Sequence, residues 1–252
     1  MGRKGNQRHM KRYSMPRMIH APRKQFKFIM KHRPGPHPIE YSIPLGFLIR
    51  DVLKLSKNAK ETRFILNHKE VMVDGKIRKD YRFPIGFMDV VAFPRINKYY
   101  RMLVDEKYGV YPHEISKDEA EFKLCQIMNK TTLRKGNIQL NLHDGRSILL
   151  KVSDPKQKNP VPYNTMSTIK IRLPSQEIIE NYPLQQNVQG YIFRGKNMGV
   201  FGKITKVEKI FGIKASLVNL ESKEGIKKST YYNYIFVIGT DKPAISLPEQ
   251  AN

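Results

Sequence analysis

The sequence predicts an α+β protein, mostly β, behind an extended basic N-terminal arm. Three observations carry that expectation. The stretch from Met1 to His37 holds eleven Lys and Arg and no Asp or Glu. Two helical apolar faces then precede an Asp-Gly pair set between short apolar segments. Beyond them, short apolar runs alternate with Gly, Pro and Asp-Gly punctuation, the pattern of all-β modules.

The arm carries +11 of the formal net charge of +24 in 252 residues, leaving +13 for the rest. Pro16, Pro22, Pro34, Pro36 and Pro38 break it. Basic, proline-broken sequence cannot bury a core of its own, so the arm is expected to order on a polyanion. It has no apolar stretch of the kind a secretory signal needs. Its prolines also interrupt the stripe required of a mitochondrial presequence or a membrane-surface helix. His9, His20, His32 and His37 lack cysteine partners and metal-ligand spacing, so no zinc site is expected. No apolar run approaches the ~18 residues that span a bilayer. The single cysteine, Cys125, excludes an internal disulfide framework and fits a reducing compartment. Self-repulsion of this size calls for a strongly negative partner, nucleic acid first and an anionic membrane surface second.

Leu45, Leu48, Ile49, Val52 and Leu53 recur at helical spacing, with Pro44 where a first-turn proline is tolerated. A second helix starts after Ser56 or Asn58, either of which can cap it, and runs through Ile65 and Leu66. Segments 71–73 and 76–78 flank Asp74-Gly75, which predicts a two-residue hairpin in a type I′ turn. Residues 90–93 read as a strand. Ser116-Lys117-Asp118-Glu119 is a capping-box pattern, and Ala120, Leu124, Ile127 and Met128 follow at helical spacing. A helix is therefore expected there, with Cys125 as a packed thiol. Strands are expected at 138–142, 147–152 and 168–173, with a turn at Asp144-Gly145 and a proline loop at 154–162. Gly195, Gly199 and Gly202 punctuate further short β segments, and their spacing fits neither a P-loop nor a dinucleotide fingerprint. They suit tight turns of a small barrel, which strands at 215–220 and 234–238 and a basic turn at 225–229 complete.

The sequence holds no paired-histidine metal helix, no Cys-x-x-Cys and no Gly-x-Ser-x-Gly elbow. Asp89 and Asp105 read as structural or solvated acids, and neither an enzyme nor a cofactor is expected. Cations are the informative feature. Lys54, Lys57, Arg63, Lys69, Lys76, Arg78, Lys79 and Arg82 cluster on the second helix, its approaches and the hairpin, with Glu61, Glu70, Asp74 and Asp80 among them. The arm adds Arg3, Lys4, Arg8, Lys11, Arg12, Arg17, Arg23 and Lys24. Such groups bind phosphates largely without regard to base sequence, and a helix face beside a hairpin can track a structured RNA.

Several stretches in order along the chain carry a resemblance: residues 71–78 (Val-Met-Val-Asp-Gly-Lys-Ile-Arg), 83–90 (Phe-Pro-Ile-Gly-Phe-Met-Asp-Val), 122–125, 195–204, 235–239 and 242–248. Over nearly its full length the chain resembles the eukaryotic–archaeal S4e family of small-subunit ribosomal proteins. The resemblance implies an arm over 1–40, a small RNA-binding domain over 41–104, a central β domain over 105–185, and a KOW-type, SH3-like barrel with a short tail over 186–252. It implies a non-catalytic constituent of the small ribosomal subunit, located in cytoplasmic ribosomes and assembled in the nucleolus if the source is eukaryotic. The implied partners are small-subunit ribosomal RNA and neighbouring ribosomal proteins, with no membrane and no free homo-oligomer. The hairpin and its preceding helix would supply much of the RNA contact, with Arg194, Lys196 and Lys203 at the barrel's loop edge. Two departures stand out: the chain stops soon after Leu247-Pro248, without the longer basic tail of many eukaryotic relatives, and Arg194-Gly195-Lys196 stands where relatives often show more glycine. An RNA-modifying enzyme built on the same small domain, or a transcription-elongation factor using the barrel, would be the alternatives.

Overall fold

The computed structural model describes residues 9–152, 161–210, 216–222 and 225–248. It is mostly β, with antiparallel pairing throughout the described sheets. None of the described helices is long and apolar enough to cross a membrane.

The arm forms a short ribbon, β1 (Met10–Lys11) against β2 (Phe28–Ile29). Here the structure departs from an arm that orders only on a polyanion. Met10, Met15, Met18, Ile19 and Ile29 are buried in the main core, and Ile19 bridges to Gly109. The arm cannot build a core, but its sparse apolar residues join one supplied by the rest of the chain. Arg3, Lys4 and Arg8 lie outside the described residues.

Next come β3 (Ser42–Pro44), α1 (Leu45–Phe47) continuing as a π-turn (Leu48–Val52), and α2 (Ala59–Asn67). Asn58 caps α2 by accepting bonds from the Lys60 and Glu61 amides, and Glu61 reaches back to the Lys57 amide at 2.7 Å. That reciprocal arrangement satisfies the orphan donors of the first turn. The hairpin β4 (Met72–Val73) and β5 (Lys76–Ile77) turns at Asp74 (φ 50°) and Gly75 (φ 72°), the two positive values a type I′ turn requires. After β6 (Pro84–Gly86), which pairs with β3, come β7 (Val90–Phe93), β8 (Lys98–Asp105) and β9 (Gly109–Ile115). The sheet order is β5-β4-β7-β8-β9.

A helix does not form after Ser116. Its hydroxyl accepts from the Glu119 amide, but only a 3-10 turn (Glu119–Glu121) follows before the long strand β10 (Phe122–Thr132). Lys123, Leu124, Cys125, Gln126 and Ile127 are all buried. A strand covered on both faces shows no alternation, so its apolar positions can match helical spacing by chance. β10 carries β13 (Thr168–Arg172) on one side and β11 (Ile138–Leu142) on the other. With β12 (Ser147–Leu150) and β14 (Ile178–Tyr182) they make the order β12-β11-β10-β13-β14 around a small separate core. Most of the proline loop, residues 153–160, lies outside the described residues.

The last sheet holds β15 (Gln189–Ile192), β16 (Phe201–Glu208), β17 (Leu217–Glu221), β18 (Lys227–Tyr231) and β19 (Ile235–Gly239), in the order β18-β17-β16-β15-β19. The segment expected as a basic turn is the edge strand β18; the turn lies before it, at Gly225. Its outward lysine and tyrosine positions are ordinary for an edge. Phe87 stacks on Phe193 at 5.3 Å and meets Phe236 edge-on at 5.1 Å, packing this sheet onto the first unit.

Candidate nucleic-acid interface

Of the first unit's cations, Lys54, Lys57, Arg63, Lys69, Lys76 and Lys79 are exposed, and Arg78 and Arg82 are half-buried. Lys54 (φ 54°) and Lys69 (φ 61°) adopt left-handed conformations just after the π-turn and α2. A cation there favours the helix C-terminal dipole, although left-handed backbone is strained for a side chain by ~1–2 kcal/mol. Lys69→Gly should therefore leave the urea midpoint unchanged or raised; a lowered midpoint would contradict this.

Arg63 on α2 lies over the Tyr81 ring at 4.6 Å, and Arg82 lies over the same ring at 5.2 Å. Arg78 is seated on Phe83 at 4.4 Å. These stacks hold guanidinium planes in place without a carboxylate partner among the described residues. Lys57, Lys76 and Lys79 are exposed. In the arm, Lys11, Arg17, Arg23 and Lys24 are exposed, and Arg23 donates to the Tyr13 carbonyl at 2.7 Å. Arg12 differs: it is buried, donates to the Pro22 carbonyl at 2.6 Å and lies over Phe26, so it fastens the arm internally. In the last sheet Lys196 and Lys203 are exposed, while Arg194 packs on Tyr41 at 4.1 Å. Thus Arg63 and Arg82 are brought together, and Lys31 and Arg50, which sequence reasoning did not single out, line the same groove.

Beneath this surface lies a buried charge centre. Lys123 Nζ donates to Asp74 (2.9 Å), Asp89 (2.6 Å) and Asp144 (2.9 Å). Arg146 donates to Asp74 at 2.6 Å and forms an ion pair with Asp144 at 3.1 Å, and His37 contacts Asp89 at 2.9 Å. Asp74 also accepts from the Val90 amide, and Asp89 from the Gly86 amide. The centre therefore ties β10 to the hairpin turn, the β6–β7 turn, the β11–β12 turn and the arm. Asp89 is structural, as expected of it. No spacing in the sequence links Lys123, Asp144 and Arg146 to it.

Burial lowers the affinity of Lys123 for its proton, but the three carboxylates outweigh this and hold it firmly charged. Burial raises Asp89 and Asp144; His37 and Lys123 overcome it at Asp89, and Lys123 with His143 at Asp144, so both sit well below the ordinary range. At Asp74 burial prevails and the shift is upward. Burial pushes His143 down to about 4, with Lys123 and His37 adding to it against the pull of Asp144.

Acid should loosen this centre in two steps. His143 contributes fully above its ordinary 6.5, and that contribution is lost as pH falls towards 4. The depressed Asp89 and Asp144 contribute above their ordinary 3.8 and are lost below it. Asp74, being raised, has the opposite sign and offsets part of the loss. Urea midpoints at pH 7, 5 and 3.5 should fall in sequence; a flat series would contradict the assignment.

Cys125, His143 and Asp144 place ligand atoms within 4.8 Å of one another, the spacing of a metal site. Their chemistry does not suit one. The Asp144 oxygen is already shared by Lys123 and Arg146, both cations. Burial, then Asp144, raises the Cys125 thiol, and both His143 nitrogens are engaged, by the Gln126 amide and the Phe87 carbonyl.

A mostly β scaffold, fastened inside by a charge centre and carrying stacked guanidiniums with no carboxylate partner among the described residues, defines a class of basic structural protein built to meet a polyanion. Comparison with known proteins narrows the class. The profile of Ribosomal family S4e matches residues 96–178. Small ribosomal subunit protein eS4 of Desulfurococcus amylolyticus is 43% identical over 251 residues, covering 100% of both chains. That of Methanocaldococcus jannaschii is 42% identical over 247 residues, covering 98% of this chain and 100% of its own. The crystal structure of the 30S ribosomal protein S4e from Thermoplasma acidophilum superposes with a TM-score of 0.66 at 29% identity, covering 79% of this chain and 96% of that one. The chain belongs to the S4e family of small ribosomal subunit proteins, a family of structural constituents rather than enzymes.

Proposed function

We propose that the protein braces ribosomal RNA within the small subunit, through phosphate contacts from exposed Lys and Arg and through further ordering of its arm. The observation that carries this reading is the pairing of full-length similarity to small-subunit proteins with guanidiniums stacked on Tyr81 and Phe83 and no carboxylate on them among the described residues. The division into a small RNA-binding domain (41–104), a central β domain (105–185) and an SH3-like barrel (186–252) is part of this proposal. So are the cations as contacts: Lys54, Lys57, Lys69, Lys76 and Lys79 with Arg63 and the half-buried Arg78 and Arg82 on the first unit, the arm cations other than the buried Arg12, and Lys196, Lys203 and the half-buried Arg194 on the last sheet. Neighbouring ribosomal proteins complete its setting, and ribosomes are its location, with the nucleolus a site of assembly if the source is eukaryotic.

The test is salt dependence. Binding of the purified chain to small-subunit RNA should weaken linearly in log–log form, with a slope of about −0.7 to −0.9 per phosphate neutralised. Lys76→Gln should reduce that slope by roughly one phosphate's share. Salt-independent binding would overturn the phosphate mechanism.

A further inference from the structure

Between the arm ribbon and α2 lies a groove of about 330 Å³, and its chemistry differs from that of a surface that only follows a duplex backbone. One wall is Phe28 of β2, 46% exposed although His9 meets its ring in a T-shaped contact at 5.5 Å and Lys27 Nζ lies over it at 5.6 Å. The other wall is Tyr81 with the guanidiniums of Arg63 and Arg82 over its ring. His9, Lys31 and Arg50 with the apolar Ile29, Met30 and Ala59 complete the lining, which includes no acid; the Arg50 charge is met by Asp51 beside it. Arg63 and Arg82 have no carboxylate partner among the described residues, so stacking alone fixes their planes.

A half-exposed aromatic ring a groove's width from pre-oriented guanidiniums is a combination that can receive a single unpaired nucleotide. The ring takes the base, and the cations take its phosphate. A paired base offers no free face and would leave Phe28 in water. The excess positive charge argues against an apolar or basic peptide as the occupant.

Resting on the RNA-binding reading above, we propose that this groove seats one flipped-out or bulged nucleotide of the RNA, its base against Phe28 and its phosphate on Arg63 and Arg82. The arm then has a specific task. Docked through Met10 and Ile29, it supplies the stacking wall that the small α+β unit does not itself provide.

The experiment compares a blunt RNA duplex with the same duplex carrying one bulged 5-iodouridine, using the full chain at fixed salt. The wild-type protein should prefer the bulged RNA by roughly tenfold, within the range of base–aromatic stacking, and irradiation should crosslink the iodouridine to Phe28 or Tyr81. Phe28→Leu should cut the preference to about twofold while leaving duplex affinity and the urea midpoint unchanged. Lys76→Gln, on the hairpin and outside the groove, should weaken both RNAs alike. Equal affinity for the two RNAs, or crosslinks confined to residues outside the groove, would overturn the proposal and leave general RNA binding intact. Failure to bind either RNA at low salt would overturn both. Because the crosslink is read on the wild-type chain, it decides the matter even if Phe28→Leu proves unstable.

Discussion

Lys123→Met is expected to destabilise the protein by about 3–5 kcal/mol, the penalty typical of removing one partner from a buried ion pair. Lys123 has no exposed side-chain surface, and its ammonium is the common partner of Asp74, Asp89 and Asp144. Methionine fills a similar volume, so packing changes little and the loss is electrostatic. Three carboxylates would then share Arg146 and His37. With a typical domain stability of only ~5–15 kcal/mol, most of the margin would go. Urea unfolding of the variant checks this. Asp89→Asn added to Lys123→Met should recover part of the loss, because it removes one uncompensated charge. A single-variant loss under about 1 kcal/mol would mean the centre contributes no more than a surface pair.

The second large effect is expected at Gly109. Its φ is +65°, and an added Cβ would fall inside contact distance of the Met18 carbonyl oxygen, which accepts the Val110 amide at 3.0 Å. Gly109→Ala must therefore strain a left-handed residue and push away the arm at the Ile19 bridge. The expected cost is about 2–3 kcal/mol, concentrated on the docking of the arm rather than on the sheets. Hydrogen exchange should show amides of residues 10–29 losing protection while β8 and β10 keep theirs. Unchanged protection in the arm would contradict the docked arrangement. The same variant should lose the preference for bulged RNA, since Phe28 moves with the arm.

Local chemistry was readable wherever one residue's backbone demands decide the structure. Asp74-Gly75 announced its hairpin because few pairs accept two positive φ values, and the start of α2 was narrowed to Ser56 or Asn58, of which Asn58 caps it by satisfying two amides. The segment after Ser116 misled for an equally local reason. Its cap forms, yet residues 123–127 of β10 are buried on both faces, so the alternation that would mark a strand is missing there. The arm's cations were evident, but five apolar residues spread over twenty positions do not announce a core that lies elsewhere in the chain. The charge centre left no trace in sequence. Lys123 meets acids from three separate turns, and only the fold brings them within bonding distance. The candidate interface was half legible: Arg63 and Arg82 stood out as cations, whereas the Tyr81 stack and the Phe28 wall depend on packing.

Fractionation of a cell lysate by sedimentation tests the central claim most directly. The protein should travel with small ribosomal subunits and leave them only as salt is raised, with its release following the log–log dependence of phosphate neutralisation. A soluble pool of free protein with none in small-subunit particles would contradict the account.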